Sequence, residues 1–266
     1  MSNLLNRSKA FKIVVAHEAG GVGKTTTTIN LGYELALLGL RVCLFDLDTH
    51  YDLSRRLGLK PSAPTLAAAL ESGKLTPSRQ TCTWNGVSLD VVAGDEEIAT
   101  AEAALTAVMQ AREKRLQLIV RPLLDQYDVL IFDCPASKSL LTVNALNAAD
   151  GVIIPVQSQD KAYNAISLIN ATIDEVAQYT DLQILGYLVT MAAPTRAEQE
   201  IAEAIHADYP QLAFTTNIPR RVELTVEARY QALVGSYMPK GDAATAYRAV
   251  AAQVVERIQH WESNHA

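Results

Sequence analysis

The sequence has few cysteines and no long apolar stretch, and each of these absences argues against a class of protein. Cys43, Cys82 and Cys134 are its three cysteines in 266 residues, and they form no C-x-x-C pair. This spacing predicts reduced thiols rather than a disulfide framework or a cysteine metal site. No apolar stretch approaches the roughly 20 residues of a membrane-spanning helix. Residues 1–9 are polar and basic, without the apolar centre of a secretory signal.

Excess positive charge is also missing, because the formal net charge is −6. The chain as a whole therefore does not attract nucleic acid, and any DNA-binding surface must be a local basic patch, formed for example on dimerisation. The content of 49% hydrophobic and 20% charged residues argues against disorder. A chain of this length can bury one large α/β core.

A glycine-rich stretch, AGGVGKTT at 19–26, carries the clearest functional signal. It follows an apolar run at 11–16 that predicts a buried strand, and it precedes helical spacing of apolar residues at 26–40. Glycines let backbone N–H groups approach anionic oxygens, and the start of a helix favours negative charge. The stretch predicts a phosphate cradle formed by residues Gly20, Gly21, Val22, Gly23, Lys24, Thr25 and Thr26.

Two side chains of this cradle have specific expected roles. Lys24 would reach the β- and γ-phosphates, and the Thr25 hydroxyl would bind Mg²⁺. The usual P-loop has a glycine six residues before its lysine, but Glu18 stands there. The loop is therefore a variant P-loop.

Acidic residues follow two further predicted strands. The run VCLFD at 42–46 continues into Asp46-Leu47-Asp48, and VLIFD at 129–133 ends at Asp133. In a doubly wound sheet, ligands bind beyond the carboxyl ends of the strands. We therefore expect Asp46, Asp48 and Asp133 beside Lys24, near the metal and the γ-phosphate.

The alternation of strands and helices predicts a doubly wound, mainly parallel sheet with helices on both faces. A further strand is predicted at 87–92, and helices at 67–70, 96–124, 139–148, 161–178, 196–208 and 242–261.

These motifs resemble the ParA/MinD family of deviant P-loop ATPases, most closely its small ParA (Soj-like) branch. The family loop reads K-G-G-x-G-K-[ST], and nearly the whole chain follows the family pattern in order. The matching stretches are LFDLD at 44–48, VLIFDCPAS at 129–137, SLLTVNALNAADGVIIPVQ at 139–157, ILGYLVTM at 184–191, NIPRRVEL at 217–224 and YMPKGDAATAYRAVA at 237–251. The resemblance implies one ParA-like domain over 1–266, without the N-terminal helix-turn-helix domain of larger plasmid relatives.

The resemblance also implies ligands and residue roles. ATP and Mg²⁺ are the expected cofactors. Asp133, together with Asp46, would hold the metal through water, and Asp48 would orient the attacking water. The segment around Pro219 and Arg220 would contact adenine, largely with backbone atoms. Phosphoryl transfer depends on positioning and charge neutralisation, so this set is chemically sufficient.

The chain departs from the family at Ala19, which replaces the signature lysine. In the family that lysine reaches across a sandwich dimer to the partner's ATP, much as an arginine finger does. Lys161 and Lys138 are the candidates to replace it, and either of them also fits an ordinary surface lysine. We favour Lys161, because a lysine that opens a helix at the expected dimer face does not serve the helix dipole.

The resemblance implies an ATP-dependent homodimer that binds DNA nonspecifically and positions a plasmid or chromosome region. A ParB-like or other cargo adaptor would stimulate hydrolysis, and the expected location is cytoplasmic and nucleoid-associated. Arg196 and Arg221 are the candidate DNA contacts, although Glu223 stands where many relatives carry a basic residue.

Three alternatives remain open. The first is positioning of a protein cargo such as carboxysomes, since some carboxysome-distributing relatives also lack the signature lysine. The second is a MinD-like membrane ATPase, but the tail at 254–262 carries too little positive charge for stable membrane association. The third is a reductase like the nitrogenase iron protein, which would need bridging cysteines that this chain lacks.

Overall fold

The computed structural model describes residues 4–5, 8–157, 159, 162–225 and 231–265, without the side chains of residues 162, 163, 165 and 265. The strands are β1 (Phe11–Val15), β2 (Val42–Asp46), β3 (Gln80–Trp84), β4 (Val87–Val92), β5 (Val129–Asp133), β6 (Gly151–Gln157) and β7 (Gln183–Thr190). The helices are α1 (Lys24–Leu37), α2 (Asp52–Leu57), α3 (Leu66–Ser72), α4 (Glu97–Thr106), α5 (Arg115–Val120), α6 (Leu140–Ala148), α7 (Ala162–Ala177), α8 (Arg196–Asp208), α9 (Val234–Tyr237) and α10 (Asp242–His265).

The seven strands form one sheet in the order β3-β4-β2-β5-β1-β6-β7. Every neighbouring pair is parallel except β3 and β4, which are antiparallel. The chain leaves β1 toward one edge and later returns to pair β6 with the other side of β1. This reversal of strand order places a crevice at the carboxyl end of β1, where open α/β sheets bind ligands. The predicted fold class is confirmed.

Apolar side chains cover both faces of the sheet. Strands β2 and β5 are buried along their whole length. This explains their nearly continuous apolar runs, because a strand covered by helices on both faces has no solvent side. Phe45 and Phe132 meet edge to face at 5.3 Å on one face, and Ile13 and Leu44 belong to the cluster on the other. This packing on both faces fixes the positions of the carboxyl ends of β1, β2 and β5 relative to one another.

No helix within the described ranges is both long and apolar enough to span a bilayer.

Two predictions of secondary structure were incomplete. The helix expected over 96–124 is broken, because α4 ends at Thr106 and α5 begins only at Arg115. Ala111 has a left-handed φ of 52° in between, and the Asn144 side chain bonds the Arg112 carbonyl and the Leu116 amide at 2.8 and 3.2 Å. The distant α6 residue thus fixes a turn that helix propensity alone would not predict.

The edge strand β3 was not predicted, although the sequence carries a signal for it. Asn85-Gly86 separates β3 from β4, and both residues have positive φ, 49° and 80°. Asn-Gly between two strands is typical of a two-residue hairpin turn. The strand itself, QTCTW, is mostly polar and half-exposed, so it lacks the continuous apolar run of the central strands β2 and β5.

Candidate nucleotide site

The glycine-rich loop connects β1 to α1 at the centre of the sheet. Gly21 and Gly23 have φ of 76° and 92°, a left-handed backbone that residues with a Cβ rarely adopt. The neighbouring strands hold the loop from outside: Thr190 Oγ1 donates to the Val22 carbonyl and Gln157 Nε2 to the Gly21 carbonyl, both at 2.8 Å. These contacts occupy carbonyls and leave the amide side of the loop available, as an anion cradle requires.

Lys24 begins α1, and its ammonium group folds back onto the loop. Its Nζ donates to the Ala19 carbonyl at 2.9 Å, and only 6% of the residue is exposed. Burial lowers the pKa of Lys24, while the nearby Asp133 and Asp48 oppose that shift. Among the described residues, this buried cation donates a hydrogen bond only to a neutral carbonyl, so an anion in the cradle would compensate its charge further.

His17, which the sequence reasoning missed, supports the same loop. The Ala19 amide donates to its Nδ1 at 2.9 Å. Burial, followed by the Lys24 charge, lowers the pKa of His17 to about 4. The ring is therefore neutral at physiological pH and carries its proton on Nε2, which has no partner within the described part of the chain. No sequence pattern marks this contact, because it depends on how the loop closes.

Asp133 ends β5 beneath the loop and is completely buried. Burial and the neighbouring Asp46 raise the pKa of Asp133 well above its usual value, whereas Thr25 and Lys24 act in the opposite direction. Thr28 Oγ1 donates to Oδ1 at 3.3 Å, and Oδ2 has no partner among the residues that the structure describes. A buried carboxylate oxygen that lacks a donor, close to the Thr25 hydroxyl, fits the all-oxygen preference of Mg²⁺.

Asp46 ends β2 and has a different environment from the one expected. Its Oδ2 accepts hydrogen bonds from the Ser54 amide and hydroxyl at 2.8 and 2.6 Å, and its Oδ1 accepts from the Asp48 amide at 3.3 Å. Burial raises the pKa of Asp46 to about 7, although the Ser54 hydrogen bonds oppose this shift. The observed contacts make Asp46 the anchor of α2, and its part in metal binding stays a prediction.

Asp48 lies two residues further on, where β2 opens toward the crevice. Its Oδ1 accepts from the His50 amide at 2.9 Å and contacts His50 Nδ1 at 3.1 Å, and 9% of the residue is exposed. The electrostatic influence of Asp48 reaches both Lys24 and Asp133. Asp48 is therefore near both Lys24 and Asp133, and its role in orienting the attacking water stays a prediction.

A cavity of about 860 Å³ adjoins the far end of the cradle. Its lining includes Gly23, Thr26, Met191, Pro219, Arg220 and Tyr247. Backbone hydrogen bonds fix the last segment: the Ala192 amide donates to the Ile218 carbonyl and the Arg220 amide to the Ala192 carbonyl, both at 2.9 Å. The volume falls within the range of about 300–1,000 Å³ common for small-molecule sites. Pro219 and Arg220 thus line a cavity of suitable size, and their contact with adenine stays a prediction.

The remaining predicted residues are less closely connected to this centre. Lys138, a candidate to replace the signature lysine, pairs through its Nζ with Glu175 of α7 at 2.9 Å. Lys161 lies outside the described residues. Arg196 is 93% exposed and pairs with Glu200 at 2.8 Å within α8. Arg221, a predicted DNA contact, lines the cavity instead and pairs with Asp242 at 2.5 Å.

Comparison with known proteins agrees with the nucleotide site that the geometry suggests. The family described as AAA domain matches residues 10–184. The Thermus thermophilus chromosome-partitioning ATPase Soj is 32% identical over 267 residues, covering 95% of this chain and 98% of that protein. The Bacillus subtilis sporulation initiation inhibitor protein Soj is 33% identical over 249 residues, with 91% and 97% covered.

A solved structure is also similar over almost the full length. It is described as cobyrinic acid a,c-diamide synthase from Mycobacterium smegmatis with bound ADP and magnesium. Its TM-score is 0.75 at 29% identity, and 96% of each chain is covered.

A glycine loop at the switch point of a parallel sheet, with a lysine and a buried aspartate facing it, defines a P-loop nucleotide hydrolase. Within that class, the near full-length similarity to the Soj proteins decides the branch. The chain belongs to the ParA/MinD family of P-loop ATPases.

Proposed function

We propose that this ATPase works as a ParA-type positioning protein, with residues 1–266 acting as one ATPase domain. The observation that carries the proposal is a glycine loop with a buried Lys24 and Asp133, in a chain that is 32% identical to a chromosome-partitioning ATPase over 95% of its length. Its cofactors are ATP and Mg²⁺. In the proposed cycle, an ATP-bound homodimer holds nonspecific DNA, and a ParB-like or other adaptor stimulates hydrolysis and release of the cargo.

The residues of the site divide the chemistry between them. The triphosphate lies along the loop at 20–26, where Lys24 exchanges the Ala19 carbonyl for phosphate oxygens and neutralises their charge. Thr25 and Asp133 would hold Mg²⁺, which when bound neutralises further phosphate charge. Asp48 orients the attacking water. The nucleoside occupies the cavity beside Pro219 and Arg220.

The DNA surface is the less defined part of the proposal. Arg196 supports it, because its guanidinium is almost fully exposed and its single ion pair with Glu200 is one that solvent weakens. Arg221 supports it less well, since the same side chain lines the nucleotide cavity and contacts Asp242. DNA contacts of this kind depend on counterion release and are therefore sensitive to salt.

A nucleotide-dependent binding experiment tests the proposal directly. The protein would be incubated with ATP, with ADP or without nucleotide, and its binding to random-sequence duplex DNA and to anionic liposomes would be measured. We expect ATP-dependent, salt-sensitive binding to DNA only. Binding to liposomes instead would favour the MinD-like alternative, and ATP turnover without binding to either would favour a cargo system that does not use DNA.

A further inference from the structure

Four arginines line the nucleotide cavity, and one of them differs from the other three in its ion pairing. Arg55 pairs with Asp52, Arg220 with Glu198 and Arg221 with Asp242. Within the described residues, Arg56 is the lining arginine that has no carboxylate within 4.0 Å. Its side chain contacts the cradle itself: Arg56 Nη1 donates to Thr26 Oγ1 at 2.8 Å. Arg56 thus brings a positive charge to the phosphate-binding loop, and no carboxylate of the described residues pairs with it.

The fold holds Arg56 in this position through several independent contacts. Helix α2 buries Leu53 and Leu57, and Ser54 is bonded twice to Asp46 at the end of β2. The Ser54 hydroxyl also accepts from the Gly94 amide at 2.9 Å, which links α2 to the end of β4. Because α2 is fixed against the sheet, Arg56 itself needs to lose little conformational freedom when a ligand binds.

The place of Arg56 along the nucleotide follows from the lining of the cavity. The lining includes Gly23 and Thr26 but neither Lys24 nor Asp133, so the cavity starts where the cradle ends. A nucleotide with its nucleoside in the cavity and its terminal phosphates at Lys24 would therefore place its α-phosphate near Thr26. The Thr26 hydroxyl accepts from Arg56 and so keeps its own proton for a phosphate oxygen.

We propose that Arg56 is a nucleotide-binding residue that contacts the α-phosphate from within the same subunit, beside the Thr26 hydroxyl. A guanidinium suits this role because it presents several N–H donors, and only one of them is needed for Thr26. The inference rests on the proposed ATP site. It adds a cation to a site whose loop carries Ala19 where a lysine was expected.

Binding of AMP, ADP and ATP to the full chain tests the assignment, with each Kd measured by competition against labelled ADP. Arg56→Ala should weaken all three nucleotides by roughly tenfold, because all share the α-phosphate and a charge-assisted contact has about that worth. Lys24→Ala should weaken ADP and ATP but change AMP little, because Lys24 serves the outer phosphates. Arg121→Ala, which removes an exposed arginine before the amino end of β5, is the matched control and should bind all three normally.

Two further variants separate a phosphate contact from a structural one. Arg56→Lys keeps the charge and should recover part of the affinity, whereas Arg56→Gln keeps a donor for Thr26 without charge and should not. Wild-type affinity in Arg56→Gln would reduce Arg56 to a structural link between α2 and the loop. Wild-type affinity in Arg56→Ala, alongside failure of Lys24→Ala, would overturn the Arg56 assignment alone. Failure of the unmodified protein to bind ADP would overturn the ATP site itself.

Discussion

Replacing Lys24 by alanine is the most direct perturbation of the site. The Lys24 ammonium group is buried, and it donates a hydrogen bond to the Ala19 carbonyl. In the ATP complex it would instead make charge-assisted contacts to two phosphates, each worth about 1.5–3 kcal/mol. Losing both would cost about 3–6 kcal/mol, which corresponds to a ~10²–10⁴-fold increase in the Kd for ATP.

The same variant should leave the nucleotide-free protein at least as stable as before. Burial disfavours the charged form of Lys24 and lowers its pKa, so removing the ammonium group relieves a desolvation cost as well as one hydrogen bond. Calorimetry of ATP binding and thermal unfolding without nucleotide would measure both effects. Lys74→Ala, which removes an exposed lysine, is the control. An ATP affinity within threefold of the unmodified protein, in a variant that folds normally, would refute the P-loop interpretation.

Three further predictions concern hydrolysis, DNA and the dimer. Asp48→Ala should still bind ATP but accumulate an ATP-bound dimer on size-exclusion chromatography, because only the water-orienting carboxylate is lost; a monomer with normal turnover would remove Asp48 from the catalytic set. Arg196→Ala and Arg221→Ala should each flatten the salt dependence of DNA binding by about one unit, and unchanged slopes in both would place any DNA surface elsewhere. Lys161→Ala should spare monomeric ATP binding but weaken ATP-dependent dimerisation by about tenfold or more, whereas the same defect in Lys138→Ala alone would make Lys138 the replacement for the signature lysine.

Much of the central sheet could be predicted because its signals are local. Buried parallel strands read as apolar runs, and the glycine-rich loop fixes where a strand meets a helix. The acidic residues after β2 and β5 could be assigned to one site because the carboxyl ends of parallel strands share one edge of the sheet. In the structure, Asp46 and Asp133 are register partners on β2 and β5, and the Asp48 amide bonds Asp46, while their roles at the site stay predictions.

The contacts that distinguish this site from a generic P-loop could not be predicted in the same way. Arg56 and Thr26 are 30 positions apart, and nothing in either segment indicates that they touch. The role of Asp46 as an anchor depends on Ser54, which is placed by the packing of α2. Such contacts follow from how the elements pack, and a hydrophobic pattern does not encode them.

The loop contacts at position 19 involve the backbone of Ala19 rather than its side chain. Lys24 bonds the backbone carbonyl of Ala19, and His17 accepts from the backbone amide of Ala19, so both contacts are independent of the side chain at that position. The neighbouring Glu18 is held by Thr172 of α7, whose hydroxyl donates to Oε1 at 3.1 Å. These contacts do not depend on the side chain at position 19, and the expected loss of a trans lysine there stays a prediction. Binding of ATP should consequently depend on Lys24 and Arg56 of the same subunit. ATP-dependent dimerisation should be the step that lacks a cation, and it should therefore have low affinity.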